Sequence, residues 1–200
     1  GRKGFPIFQK ANNIGSVAWT SMDPPLRETM LVRGDIDAIT GFSFTSLLNL
    51  EARGVKPEDV VIMNYADNGV KLYGNAIIAS PKLIAENPAA IKAFLTAFAK
   101  GAKEAMANPA AGIESVKARD GIINVALETR RLQLAVDSVV ASPDARREGF
   151  GQVVPGRLAL MASQVSDAYG TKTRVDPAKI WNGSMLPPAA ELNVLPPARK

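Results

Sequence analysis

The residues best suited to bind a small molecule lie between Thr40 and Ser46, where hydroxyl groups, a glycine and aromatic rings follow one another. Hydroxyl groups form hydrogen bonds, glycine permits close approach of the backbone, and an aromatic ring offers a flat apolar face. Two tyrosines and an asparagine further along the chain could contact the same ligand. The predicted ligand-binding residues are Thr40, Gly41, Phe42, Ser43, Tyr65, Tyr73 and Asn75.

The same residues also suit purely structural roles. Residues 40–46 would serve equally as a loop that ends in a helix cap, with one of the hydroxyl groups of residues 43–46 as the capping acceptor. Each tyrosine, taken alone, suits an ordinary half-buried position. Both interpretations stay open at the level of the sequence.

The stretch from Met30 to Phe42 indicates the elements that position these residues. Gly34 suits the left-handed position just after a helix, which predicts that a helix ends there. Residues 36–40 favour a short buried strand, and the leucines from Leu47 onward favour another helix. Helix, strand, loop and helix in this order are typical of an open α/β sheet, whose ligands bind beyond the carboxyl ends of the strands. We therefore predict an α/β fold with a ligand site at residues 40–46.

Elsewhere, apolar runs predict further strands, and prolines that follow a capping residue predict helix starts. The strands are expected at residues 17–20, 60–63 and 76–79. Proline at the first helical position loses no hydrogen bond, because its N–H would have no partner there. The six predicted starts are Asp23-Pro24, Ser80-Pro81, Asn87-Pro88, Asn108-Pro109, Ser142-Pro143 and Asp176-Pro177.

Helices dominate the predicted structure after residue 80. The clearest runs are 88–108, 122–140 and 155–169, and a proline-rich tail with a short helical turn near residues 178–181 follows them. Apolar residues at three- and four-residue steps in the first run predict a buried face that includes Phe94 and Phe98. If these rings are in the core, truncating either one to alanine should cost about 3–5 kcal/mol.

Several kinds of chemistry are excluded by composition. The chain has no histidine and no cysteine, which removes disulfides, zinc-type sites, cysteine nucleophiles and histidine bases. Asp35 and Asp37 could hold a metal or share a proton, but we favour a turn residue and a structural carboxylate because no third acidic residue is near. We expect no metal, no cofactor and no enzyme activity.

Charge and hydropathy also limit the kinds of partner that the chain is expected to have. The net charge is +5, but the basic residues are scattered among acids and are not interleaved with aromatic rings. We therefore expect no nucleic-acid binding. No run of eighteen apolar residues is present, so no membrane span is predicted. The first residues lack the apolar core of a signal peptide and a starting methionine, so we expect a processed or truncated start.

Two stretches, RGDIDAITGF and YGNAIIASPKLIAENPAAIKAFLTAFAKGAKEAMANP, carry a resemblance that extends through nearly all of the chain. Their order and spacing resemble the bacterial solute-binding proteins of the nitrate, sulfonate and thiamine-pyrimidine transport group. The resemblance implies a type II periplasmic-binding fold, capture of a small organic solute between two lobes, and delivery to an ABC permease. It also implies a periplasmic or exported location, with the signal peptide and an N-terminal segment not visible in this sequence.

Under this resemblance, residues 1–72 form an α/β segment of the second lobe, and residues 73–200 return to the first lobe as a mostly helical part. The chain would then lack partners for its apolar faces, so we expect possible self-association. Three alternatives belong to other classes. The ligand-sensing effector domain of a LysR-type regulator is disfavoured by the long helical half. A pyrimidine-synthesising enzyme would need histidine and cysteine, and a structural or assembly module stays open.

Overall fold

The computed structural model describes residues 4–197, and the first residues, on which the expectation about the chain start rests, lie outside this range. The chain forms two units, which we describe separately. Unit 1 consists of residues 4–72 and Ala159–Val175. Unit 2 consists of Tyr73–Leu158 and residues 176–197. The prediction that the chain contributes to two lobes is not tested by this division and stays a prediction.

Three helices precede residue 52 in unit 1: α1, Phe5–Ala11; α2, Arg27–Arg33; and α3, Ser43–Glu51. A 3-10 turn at Pro24–Leu26 leads directly into α2. Gly34 ends α2 in the left-handed conformation, with φ 75°, as the sequence predicted. The N–H groups of Gly34 and Asp35 donate to the carbonyls of Leu31 and Met30, which is the Schellman arrangement.

Unit 2 contains most of the helical residues. Its helices are α4, Pro81–Glu86; α5, Pro88–Ala107; α6, Pro109–Lys117; α7, Val125–Ala135; and α8, Pro143–Glu148. A π-helical turn, Val136–Val140, continues α7. The last helix, α9, spans Pro155–Tyr169, so its first residues belong to unit 2 and those from Ala159 belong to unit 1. Further 3-10 turns lie at Pro57–Asp59, Tyr65–Asp67, Pro177–Lys179 and Gly183–Met185.

The predicted α/β fold of the type II periplasmic-binding kind is wrong, because residues 4–197 form helices and irregular segments and no β-strand. The runs predicted as strands, 17–20, 36–40, 60–63 and 76–79, are neither helix nor strand. Two of these runs contain highly exposed residues: Val61 is 88% exposed and Ile78 is 90% exposed. Apolar β-branched residues favour an extended backbone, but a strand exists only where a neighbouring strand pairs with it.

The predicted helix starts are confirmed, since each of the six prolines opens an α-helix or a 3-10 turn. In five of the six, the side chain of the preceding residue accepts a hydrogen bond from a backbone N–H of the first turn; those residues are Ser80, Asn87, Asn108, Ser142 and Asp176. Asp23 makes no such bond. The signal was reliable because proline and its capping neighbour act locally.

The core of unit 2 includes the buried residues Ala99, Met106, Val136, Ala141 and Val194. Helix α5 therefore buries the stripe of Ala99 and Met106, whereas Phe94 is 56% exposed and Phe98 is 46% exposed. The prediction that these two rings are core residues is wrong. Phe98 contacts Phe150 with a ring-centroid distance of 6.2 Å.

Candidate functional site

The segment Thr40–Ser46 leads from an irregular loop into α3, which begins at Ser43. Phe42 occupies the N-cap position with an extended backbone, and it makes no side-chain capping hydrogen bond. A hydroxyl-bearing residue was expected at the N-cap, and that expectation is wrong. Ser46 instead directs its hydroxyl group towards α2, where it donates a 2.8 Å hydrogen bond to Glu28 Oε1.

Glu28 is a charged residue with no exposed surface. It lies in the first turn of α2, beside Arg27, whose Nη2 is 3.5 Å from Glu28 Oε1. Arg27 Nη1 also donates a 2.9 Å hydrogen bond to the carbonyl of Thr40. Arg27, Glu28 and Ser46, which we call the polar cluster, therefore connect α2 and α3 to the loop at Thr40.

Two atoms of the polar cluster are buried without a hydrogen-bond partner, namely Glu28 Oε2 and Arg27 Nε. Buried polar atoms are usually paired, since an unsatisfied one costs about 1–3 kcal/mol and more if it is charged. A carboxylate oxygen accepts hydrogen bonds and a guanidinium N–H donates them. The polar cluster can therefore accept one hydrogen bond and donate another to a group that approaches both residues.

Gly41 lies close to the polar cluster. A Cβ atom at this position would be 3.0 Å from Ser46 Oγ and 3.1 Å from Arg27 Nη1. Both distances are shorter than most carbon contacts in proteins, so a side chain here would press on the two groups that hold Glu28. Glycine thus allows the loop backbone to lie close to the polar cluster.

The predicted residues of the loop have distinct surroundings. Thr40 contributes its carbonyl to Arg27. Phe42 is 53% exposed, and its ring stacks on Phe44 with a centroid distance of 5.3 Å. Ser43 is the half-buried first residue of α3. The segment therefore combines an aromatic pair with a carbonyl that binds Arg27.

Tyr65 lies in the 3-10 turn of unit 1 and stacks on Phe8 with a centroid distance of 5.1 Å. Its hydroxyl group is buried without a hydrogen-bond partner. Burial raises the pKa of this phenol above its usual value near 10, because the phenolate would be poorly solvated. The structure thus places Tyr65 in the same unit as the loop, with an unused hydroxyl group.

Tyr73 and Asn75 belong to unit 2. The Tyr73 hydroxyl accepts a 2.8 Å hydrogen bond from the backbone N–H of Val154, and the guanidinium of Arg157 lies 4.5 Å from the centroid of its ring. These contacts fix Tyr73 within unit 2. Asn75 is exposed in an irregular segment.

Sequence reasoning missed Arg27 and Glu28. The available signal was Ser46, which lies four residues before the buried Leu50 and therefore on a face of α3 that is turned inward. A polar side chain on such a face needs a partner. The sequence instead singled out the carboxylates of Asp35 and Asp37. Asp35 Oδ2 is 3.1 Å from Arg33 Nε, and Asp37 is exposed. Acidic residues of the described range do not form a group of three that could hold a metal ion.

The polar cluster lies in a segment that matches a known protein family. Residues 18–112 match the family described as NMT1/THI5 like. The match confirms the resemblance to the solute-binding proteins of nitrate, sulfonate and thiamine-pyrimidine transport, and covers just under half of the chain. Searches of curated proteins and of solved structures found no match.

The NMT1/THI5-like segment includes Arg27, Glu28, the loop Thr40–Ser46 and Tyr65. The family points to a solute-binding role in ABC transport, and the alternative of a regulator's effector domain gains no support from it. It is a family of binding proteins that are generally not enzymes and are typically exported. Within residues 4–197, no helix is long and apolar enough to cross a membrane.

Proposed function

We propose that this protein is the substrate-binding component of an ABC importer, which captures a small organic solute and delivers it to a permease. The solute belongs to the pyrimidine, sulfonate or nitrate-like classes or is related to them. One observation carries the proposal: the NMT1/THI5-like segment holds a fully buried carboxylate with an unpartnered oxygen beside the loop Thr40–Ser46.

The side chains around this loop supply two kinds of contact. Phe42 and Phe44 form a stacked aromatic pair, which offers apolar area to a flat solute. Glu28 and Arg27 supply one acceptor and one donor, which orient a polar group. Ligand sites commonly combine a mostly apolar wall with a few placed polar groups. The chemistry needed is binding and release, and no catalytic step is part of the proposal.

Thr40 and Tyr65 complete the proposed site. Thr40 adjoins Arg27 through its carbonyl, and its hydroxyl group is a further donor. The buried hydroxyl group of Tyr65 has no partner and is available to a polar atom of a solute. Tyr73 and Asn75, which the sequence also suggested, stay predictions.

Native mass spectrometry of freshly purified protein tests for a retained small molecule, and calorimetry with pyrimidines, sulfonates and nitrate tests binding directly. Phe42→Ala should weaken binding at least tenfold, which corresponds to a loss of about 1.4 kcal/mol. Phe94→Ala is the matched control, because Phe94 is 56% exposed and Phe42 is 53% exposed. The proposal fails if no small molecule is retained and none binds. If the two variants weaken binding equally, the loop is not part of the binding site.

A further inference from the structure

The contact between the side chains of Arg27 and Glu28, which we call the Arg27–Glu28 edge, is incompletely paired. The Nε–H and one Nη2–H of a guanidinium lie on the same edge and can bind both oxygens of one carboxylate. Here Nη2 is 3.5 Å from Glu28 Oε1, whereas charged N–H⋯O pairs are usually 2.7–2.9 Å apart. Nε and Oε2 have no partner. Each residue therefore keeps one buried polar atom for a further hydrogen bond.

We infer that this Arg27–Glu28 edge is the polar end of the solute site and takes a group with an N–H or O–H donor next to an acceptor atom, such as a carboxamide, sulfonamide, lactam or alcohol. The inference rests on the proposed function. The donor hydrogen of the solute would bind Glu28 Oε2, and its acceptor atom would bind Arg27 Nε. Both unpartnered atoms are then satisfied by one small group.

The same chemistry rejects solutes that only accept hydrogen bonds. Nitrate and sulfonate groups carry no donor hydrogen, so one of their oxygens would face Glu28 Oε2 without a bond between them. Ser46 does not relieve this conflict, since its hydroxyl group already donates to Oε1. Buried acceptors that face each other leave both unsatisfied, which is unfavourable. Among the solute classes of the proposed function, the edge therefore selects those with a donor.

Access to the edge requires movement of the loop. Glu28 has no exposed surface, and Gly41 lies close to Ser46 and Arg27. A solute must therefore enter while the loop at Thr40 is displaced from Arg27. The hydrogen bond from Arg27 Nη1 to the Thr40 carbonyl holds this loop beside the polar cluster.

Probes of similar shape compare a group that carries a hydrogen-bond donor with a group that only accepts hydrogen bonds, on the same benzene ring. Calorimetry on the full chain compares benzamide with benzoate and benzenesulfonamide with benzenesulfonate. We expect each amide to bind at least tenfold more tightly than its anion. In Glu28→Gln this preference should fall at least tenfold, because the side-chain amide can itself donate to the anion. Glu58→Gln is the matched control, since Glu58 is exposed and its change removes the same charge.

The outcomes separate the inference from the proposed function. If an anion binds as tightly as its amide, or if Glu28→Gln and Glu58→Gln behave alike, the inference is overturned while solute binding stands. If Glu28→Gln does not fold, the wild-type comparison decides alone. If no probe binds, a retained solute with a donor group supports the inference, and a retained acceptor-only anion overturns it. No binding and no retained solute overturn both.

Discussion

Ser46→Ala removes the shortest hydrogen bond that Glu28 receives, 2.8 Å from Ser46 Oγ to Oε1. The buried carboxylate then keeps only the 3.5 Å contact from Arg27, since its other oxygen has no partner. A hydrogen bond to a charged group contributes about 1.5–3 kcal/mol, and loss of the donor leaves a buried charge less satisfied. Alanine regains roughly 0.5 kcal/mol through its higher helix propensity. We expect the free energy of unfolding of unit 1 to fall by about 2 kcal/mol.

Urea denaturation followed by tryptophan fluorescence measures this loss. The chain has two tryptophans, Trp19 in unit 1 and Trp181 in unit 2, so the background variant Trp181→Phe makes the signal report on unit 1. Ser115→Ala is the control, because Ser115 is an exposed residue of α6 whose hydroxyl group makes only a 3.5 Å contact with a carbonyl. Since Ser115 lies in unit 2, its variant is followed in the complementary Trp19→Phe background.

The control should change the free energy of unfolding by less than about 0.5 kcal/mol, as is usual for surface positions. Adding Glu28→Met to Ser46→Ala should recover most of the lost stability, because replacing both partners by apolar groups is often nearly neutral. The reasoning is refuted if Ser46→Ala costs no more than the control, or if the double variant is less stable than Ser46→Ala alone.

Three further predictions concern acid stability, the exposed helix face and association. Arg157 and Arg147 donate hydrogen bonds to Asp144 and lower the pKa of this carboxyl group. The ionised carboxylate therefore stabilises unit 2 above about pH 4, where aspartate in the unfolded chain is also ionised. This stabilisation is lost as the pH falls towards the lowered pKa. Asp144→Asn should reduce the acid dependence of unit 2 unfolding between pH 6 and 3, and an unchanged profile would contradict this role. Phe94→Ala should cost well under the 3–5 kcal/mol of a core phenylalanine, and a loss in that range by urea denaturation would show that the ring is buried in solution. Exposed apolar runs such as that at Val61 favour self-association, so light scattering should show mass rising with concentration and Val61→Lys should suppress it; a concentration-independent monomer would contradict the prediction.

The helices could be predicted because their signals are local. A proline at the first helical position and a capping oxygen before it act within one turn, and the six predicted starts were confirmed. Helix α5 was predicted to span residues 88–108 and spans Pro88–Ala107. Its buried stripe was misjudged because alanine and phenylalanine both count as apolar in a periodic pattern. Only the packing shows that Ala99 is buried and Phe94 is not.

The predicted strands failed for the opposite reason. Residues 60–63 and 76–79 have the composition of strands, but strand formation depends on pairing with a distant segment, which composition does not reveal. The polar cluster was missed for a similar reason. Glu28 and Ser46 are 18 residues apart and meet only because α2 packs beside α3. The loop Thr40–Ser46 was chosen from hydroxyl and aromatic residues, and its role in binding stays a prediction.

Asp144 and Glu28 differ in how completely their hydrogen bonds are satisfied. Asp144 in unit 2 receives hydrogen bonds of 2.9 Å from Arg157 and 2.8 Å from Arg147, and all three side chains reach solvent. Such a network needs no further partner. Glu28 is fully buried, receives one short hydrogen bond and leaves one oxygen unsatisfied. Stability alone would favour apolar side chains at such a position, because desolvating an ion pair often costs more than the pair returns. We therefore propose that a ligand, rather than the packing of α2 and α3, completes the hydrogen bonds of this buried carboxylate.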